Sequence, residues 1–282
     1  MDNLLLLNIG YSDLNADWNW KDIYSPFARF YYVKAGVART YIGNKMYKLE
    51  PGYIYLTPPF SLHNDECDSR FSLYYIHFYE KSIQKESLFD KYDFPVQIKA
   101  TPLDLQLIER LHTINPDRYL VNIDPKSYDN APTFSRYIAD NNKLPYHVLV
   151  ETQSILAVLI SRFLEFRVRK TIDKDARINK SLQYIHENIN RDISNTELAA
   201  LACVSEDHFI RLFKKEMQQT PAKYINTKKI EKARLLLLTS DAKIRDIAMD
   251  LSIDNVSYFD ELFKKYTGKT PKEYRKEYDS NA

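Results

Sequence analysis

Two stretches of the chain, fifty residues apart, carry the same side chains in the same order. Phe209-Ile-Arg-Leu-Phe-Lys-Lys returns as Phe259-Asp-Glu-Leu-Phe-Lys-Lys, and Thr220-Pro221-Ala-Lys-Tyr224 returns as Thr270-Pro271-Lys-Glu-Tyr274. Phe209, Leu212 and Phe213 recur at helical spacing and define an inner face. Asp207, His208, Ile210 and Arg211 then point outward, followed by Lys214 and Lys215. In the second copy Ser257, Tyr258, Asp260 and Glu261 point outward, followed by Lys264 and Lys265. An exposed arginine on a helix can pair bidentately with a guanine edge, and lysines beside it neutralise phosphates. Asp260 and Glu261 cannot imitate that arginine; they oppose phosphates unless one accepts from a cytosine amine.

The residues around these faces predict the elements that hold them. Ser194-Asn-Thr-Glu197 reads as a capping box opening a short helix with Leu198, Ala199 and Ala202 inside. Ser205 caps the helix that follows, giving a helix-turn-helix at about 194–216. Ile247, Ala248 and Leu251, with Asp254 or Asn255 as the next cap, give a second at about 243–266. Thr220-Pro221 and Thr270-Pro271 each start a further helix, threonine as cap and proline in the first turn. The helix from Pro221 through Leu238 joins the two units. Its ~27 Å, at 1.5 Å per residue, is close to the ~34 Å between successive major-groove faces of DNA.

Composition removes several alternatives. The 282 residues hold only 5 glycines, and neither GxGxxG nor GxxxxGK[ST] can be written from them, so the usual glycine phosphate cradles are absent. Two isolated cysteines give no CxxC and no disulfide framework, which fits a reduced, cytoplasmic protein. The N-terminal apolar run of four leucines has no basic region before it, so no signal peptide is expected. The run Ile155–Ile160 lies between Glu151 and Arg162, far short of the ~20 residues that span a bilayer, and no membrane partner is expected. The net charge of +2 divides unevenly. Residues 1–173 carry 20 basic and 21 acidic groups, net −1, and residues 174–282 carry 20 and 17, net +3.

The front of the chain reads differently. Residues 20–80 are predicted to be β, with strands at Arg29–Val33, Val37–Ile42, Tyr53–Thr57 and Phe71–Phe78 punctuated by Gly36, Gly43 and Gly52. Many short strands with regular turns suggest a sandwich or small barrel. Thr101-Pro102 opens a helix, residues 115–133 with three prolines read as an irregular excursion, and Tyr146 to about Arg169 reads as one long helix. The apolar positions of that helix cover more than one stripe, so it serves its own core or packs on a second copy. Four segments are expected: a β domain at 1–100, a helical segment for dimerisation at 101–168, a linker at 169–177 and a helical domain at 178–282.

Residues 178–277 resemble the DNA-binding domain of AraC-type transcription regulators. The likeness rests on Leu198-Ala199, Ala202, Ser205, Phe209, Arg211, Phe213-Lys214, Ala233-Arg-Leu-Leu236, Ile247-Ala248, Ser257-Tyr258-Phe259, Phe263-Lys264-Lys265, Gly268, Thr270-Pro271 and Tyr274-Arg275. Three positions depart from the family's pattern: Ser252-Ile253 replace a Gly-Phe in the second turn, Gln218 replaces a glycine before the first Thr-Pro, and Glu261 replaces an arginine. The resemblance implies a DNA-contacting set of Ser205, Asp207, His208, Ile210, Arg211, Lys214, Lys215, Thr220, Ser257, Tyr258, Asp260, Lys264, Lys265 and Thr270. The second unit is expected to contribute chiefly phosphate contacts.

Tyr31 to Phe78 resembles the cupin-like sensor of the same regulators, through Gly36, Gly43, Leu49-x-Pro51-Gly52, Pro58-Pro59-x-x-x-His63 and Tyr75-Ile-His77-Phe78. The implied fold class is α+β multidomain: an N-terminal cupin-like β-barrel with a helical dimerisation segment and a C-terminal all-α tandem helix-turn-helix domain. The implied partners are double-stranded DNA, a second copy of the chain, RNA polymerase and a small effector, a carbohydrate being the expected class. Aromatic rings stack on the apolar faces of sugars while polar groups fix hydroxyls. Tyr31, Tyr41, Tyr55 and Tyr75 are therefore the candidate walls, and Arg29, Arg39, Asn44, His63 and His77 the polar partners. An enzymatic cupin needs a cluster of metal ligands, and residues 20–62 hold no histidine. No catalysis, metal or cofactor is expected, and His63 reads as a loop histidine bonding its hairpin.

Overall fold

The computed structural model describes residues 4–81, 87–169 and 175–276. Two compact units form, Met1–Lys81 with Asp93–Val168, and Ser82–Tyr92 with Arg169–Ala282.

In the first unit, two antiparallel sheets face each other. One runs β1(Leu4–Leu14), β8(Phe71–Glu80), β3(Ala28–Gly36), β6(Tyr53–Thr57), β9(Gln97–Lys99); the other runs β2(Asn19–Ile23), β7(His63–Glu66), β4(Ala38–Ile42), β5(Lys45–Leu49). Side chains alternate across a strand. On β3, Phe30 stacks against Phe78 and Phe163, on the side covered by helices. Arg29, Tyr31 and Val33 therefore look toward the other sheet, where Trp18, Ala38, Leu49 and Cys67 join Tyr31, Val33, Tyr55 and Leu73 in one buried core. Gly36, Gly43 and Gly52 all take the left-handed conformation, as their turn positions require.

Helices α2(Pro102–Ile114), α4(Ala131–Lys143) and α5(Tyr146–Glu165) pack on β1. Thr101 caps α2 with a complete capping box to Asp104. By length and composition α5 could cross a membrane, but it buries Ile155, Leu156, Leu159, Ile160 and Phe163 within this unit. It ends at Glu165, short of the expected Arg169. Between α2 and α4 the excursion forms a strap containing α3(Pro125–Tyr128). Arg118 holds the strap to β1 by donating to the carbonyls of Leu6 (2.6 Å) and Leu7 (3.0 Å), where the β1–β8 register shifts.

The domain boundaries differ from the expected ones in two places. Residues 101–168 belong to the same compact unit as the barrel, because α2, α4 and α5 cover its outer sheet. The short helix α1(Leu88–Lys91), expected in the β domain, groups with the helical unit, where Asp90 accepts from Lys228 at 2.6 Å. The expected linker is also shorter at its end: Asp175 caps α6(Ala176–Glu187) by accepting from the Arg177 amide. Residues 170–174 of that linker, and 277–282 at the far end, lie outside the described residues.

Candidate functional site

The helical unit presents two helix-turn-helix motifs, α7(Asn195–Leu201) with α8(Glu206–Met217), and α10(Ile244–Asp250) with α11(Val256–Thr267). They are joined by α9(Pro221–Thr239), whose 19 residues measure about 28 Å. Phe209 and Phe213 are fully buried, as are Phe259 and Phe263, so each inner face lies where its spacing puts it. Tyr224 and Tyr274, the ends of the two Thr-Pro tails, meet Phe213 and Phe263 edge-on at 5.8 and 5.4 Å. The repeated sequence thus builds the same joint twice.

Every expected cap forms in α8, α9, α11 and α12(Pro271–Lys276). Ser205, Thr220, Asn255 and Thr270 each accept from the backbone three residues on. Thr270 and Glu273 close a reciprocal box. At α7 only half of the expected box is seen: Ser194 accepts from the Glu197 amide, but the Glu197 carboxylate takes the Tyr184 hydroxyl instead. The left-handed positions are instructive. Gln218 (φ 55) and Ser252 (φ 50) adopt this conformation at the two sites where the resemblance expects glycine, and the Ser252 hydroxyl donates to the Asn190 carbonyl at 2.5 Å.

Of the expected DNA-contacting residues, Ser205, Asp207, His208, Arg211, Lys214, Lys215 and Thr220 are exposed around α8, and Ser257, Tyr258, Lys264 and Lys265 around α11. Ile210, Asp260 and Thr270 are half-buried. Burial raises the Asp260 carboxyl above its ordinary range. Arg211 lies back along its helix, its Nε donating to the Asp207 carbonyl at 3.3 Å. Donor-bearing helix starts, cationic last turns and an exposed arginine are what a duplex backbone and a guanine edge can use.

The barrel holds the second site. Register sets Arg29 opposite His77 and Thr57, Tyr31 opposite Tyr75 and Tyr55, and on the other sheet Thr40 opposite Asp65. Of the candidate sensor residues, Arg29, Tyr31, Tyr55, His63, Tyr75 and His77 are buried inside. The other three are not there. Arg39 pairs on the outer face with Glu66 (2.7 Å) and Asp68 (2.6 Å), Tyr41 donates to Glu66 at 2.7 Å, and Asn44 is exposed in the β4–β5 turn. The cause is strand parity: Thr40 is the inward residue of β4, so both neighbours face out. His63 is the first residue of a strand, not of a loop, although its Nδ1 does bond the Ser61 carbonyl at 2.8 Å.

Electrostatics mark this interior. Burial, then Arg29, lowers His63 to about 3 against its bond to Ser61. Burial, Arg29 and His63 hold His77 well below the ordinary range. Both imidazoles are neutral. Burial raises Asp65 to about 6, against Thr40 and Arg29 beside it. Burial works against the Arg29 charge, but Tyr128, Tyr31 and Asp129 outweigh it and raise the pKa. Tyr55 is a fixed wall, its hydroxyl bonded to the Glu50 amide and the Lys48 carbonyl. Tyr75 accepts from the Leu120 amide of the strap, and Gly10 leaves it room, since a Cβ there would lie 2.3 Å from its oxygen. Sequence reasoning missed Thr40, Asp65 and Tyr128. The run His63-x-Asp65-x-Cys67 carried a period-two signal for the second; Tyr128, reaching His77 (5.1 Å) and Phe27 (6.3 Å) from the strap, carried none. Among the described residues no cluster of three or more His, Cys, Asp or Glu could hold a metal ion.

Two facing sheets with a polar interior and a doubled helix-turn-helix stand on one chain. The sequence agrees at both ends: residues 12–115 match the model of the AraC-like ligand binding domain, and residues 198–277 that of a helix-turn-helix domain. The chain belongs to the AraC-type transcription regulators. It is 25% identical over 248 residues to an uncharacterized HTH-type transcriptional regulator of Staphylococcus aureus, covering 86% of this chain and 31% of that protein. It is 31% identical over 190 residues to the regulatory protein PocR of Salmonella typhimurium, covering 64% and 61%. Among solved structures, ToxT from Vibrio cholerae with bound unsaturated fatty acid aligns over 99% of this chain and 97% of its own at 15% identity and a TM-score of 0.48. The chain thus spans about a third of the first curated relatives it matches.

Proposed function

We propose that this protein binds specific sites on duplex DNA through both helix-turn-helix motifs and alters transcription when a small effector occupies the barrel. The observation that carries the reading is the repeat itself: two identically built joints, each exposing a capped helix with a cationic last turn, on one 19-residue connector. It acts as a cytoplasmic regulator, not an enzyme. The first motif reads bases through Arg211. The second, with Asp260 and Glu261 outward, anchors phosphates through Lys264 and Lys265. Two copies share the work through α5, whose Tyr146, Val150 and Val158 stay exposed, and RNA polymerase is the downstream partner. A carbohydrate is the effector class that the sensor's resemblance favours.

The test is selection of binding sites from bacterial genomic fragments by the full chain, followed by titration at several salt concentrations. Specific fragments should be enriched, and log K should fall linearly with log salt, because phosphate contacts release counterions. Absence of that slope refutes the DNA-binding reading. Sedimentation of the same protein should show a dimer.

A further inference from the structure

The turn of the second helix-turn-helix carries a side chain where its backbone favours glycine. Ser252 follows α10 at φ 50, a conformation that strains any residue with a Cβ. At the same position of the first motif, Cys203 (φ 55) is simply exposed. The Ser252 hydroxyl instead leaves its own motif and donates to the Asn190 carbonyl at 2.5 Å.

Asn190 belongs to the first motif. The loop from α6 to α7 that carries it is anchored by Ile189 and Ile193, which share one buried core with Leu198, Phe209 and Phe213. The Asn190 side chain accepts a second bond, from the Lys232 ammonium on α9 at 2.7 Å. Burial lowers that ammonium below its ordinary range, against the attraction of Asp250 at the end of α10. Three residues earlier on the same face of α9, burial lowers Lys229 against the attraction of Asp192 from the same loop. Loop, connector and second turn thus converge on Asn190. Its main chain holds the second motif and its side chain holds the connector.

Without such a tie the connector is a lever. A swing of ~7° over the ~28 Å of α9 displaces its far end by ~3.4 Å, the rise of one base pair. A bond from the second turn to the core of the first motif removes that freedom. We propose that Ser252, Asn190 and Lys232 form a clasp that holds the two motifs at one separation, so that these positioning residues make the spacing of the DNA subsites a determinant of recognition. The proposal rests on the reading that both motifs engage DNA. It goes beyond it by naming what fixes their distance. It also accounts for the strained serine, since glycine would relax the turn and lose the clasp.

The test uses the full chain on a genomic fragment that it enriches. Hydroxyl-radical footprinting should show, for each bound copy, two protected segments about one helical turn apart. Fragments with one base pair inserted or deleted between those segments then measure the dependence on spacing. The parent should lose about tenfold or more in affinity on either change, the scale of a mismatched pair. Ser252→Gly and Asn190→Ala should each lose less than about threefold on the same changes, and should bind the original fragment within about threefold of the parent. Ser252→Asn, which tolerates the left-handed backbone and restores a donor, should recover the parent's dependence. Ser252→Gly should melt no lower than the parent, because the turn relaxes. A merely structural serine would melt lower on substitution and weaken every fragment alike. A parent indifferent to spacing, or variants as sensitive as the parent, overturns the clasp and leaves the DNA reading standing. A single protected segment for each copy overturns the two-motif reading, and the clasp with it.

Discussion

The two units fill their interiors in opposite ways. The helical unit buries carbon: Phe209, Phe213, Phe259 and Phe263 each at 0% exposure, packed beneath alanines that let helices cross closely. Its few buried charges, Lys229 and Arg234, lie on the connecting helix α9, and the charged groups of its recognition helices lie outside. The barrel buries an arginine, an aspartate and two histidines and leaves polar atoms of each unpaired. An interior built for stability resembles the first, and one that gives up stability for a binding function resembles the second. The contrast sets the carbon-packed helix-turn-helix unit apart from the ligand-binding domain and its polar interior.

Acid should break that contrast most visibly. His63 sits at about 3 in the folded barrel against an ordinary 6.5, so the unfolded chain takes up a proton that the folded one refuses. Stability from this group is complete above 6.5 and is lost as pH falls toward 3, by roughly 5 kcal/mol, and His77 acts in the same direction. Asp65 acts oppositely. Its folded value of about 6 lies above the ordinary 3.8, so its contribution is present below 3.8 and lost as pH rises through 6, returning roughly 3 kcal/mol on acidification. The histidine pair outweighs the single carboxyl. Both tryptophans, Trp18 and Trp20, lie in the first unit, so their fluorescence follows the barrel alone. It should report unfolding at a higher pH than the last loss of helical circular dichroism, which the second unit sets once α2, α4 and α5 have melted with the barrel, and His63→Leu should move the fluorescence transition toward acid. Coincident transitions, unmoved by the substitution, would contradict the account.

The next effect concerns the two motifs, whose cores match while their outer faces do not. Arg211→Ala should cost about 1–3 kcal/mol of DNA affinity and relax discrimination at one base position. Glu261→Ala should cost nothing or tighten binding, because removing a carboxylate from a face near phosphates relieves repulsion. Competition titrations against variant sites distinguish the two. A uniform loss across all sequences would assign Arg211 to the backbone, and a specific loss at one C·G pair would assign Glu261 to base reading.

Legibility in the sequence followed the same divide. The helical unit was readable because its rules are local: caps at Ser205, Asn255, Thr220 and Thr270, and inner faces at helical spacing, all stated twice. The barrel was readable in its turns and not in its facing. Choosing Arg39 and Tyr41 over Thr40 was an error of one residue, and in a strand one residue reverses the face. Strand β1 was not anticipated because Leu4–Ile9 is buried almost without interruption, between helices on one side and the barrel on the other, which erases the alternation that announces a strand. Tyr128 arrives from the strap, and no local pattern can place a residue whose position is set by Arg118 holding β1 carbonyls.

The smallest effect sharpens the comparison of the two copies at one backbone position. Gln218 and Gly268 close the same helix in the two motifs, both left-handed, at φ 55 and φ 79. A side chain at such a φ costs about 1 kcal/mol relative to glycine. Nothing lies within 4 Å of a Cβ built on Gly268, so Gly268→Ala should lose that amount as pure backbone strain, with no clash added. Gln218→Gly should gain less. The Gln218 amide donates to the Lys215 carbonyl at 2.8 Å, satisfying an acceptor that the end of the helix leaves open, and glycine would forfeit that bond. The exposed bond contributes less than the strain it offsets, so the expected gain is a few tenths of a kcal/mol, readable as a small rise in the thermal midpoint. Equal and opposite shifts at the two positions would mean that the Gln218 side chain contributes nothing. A loss at Gln218 would mean that the first motif has replaced the glycine with a cap of its own.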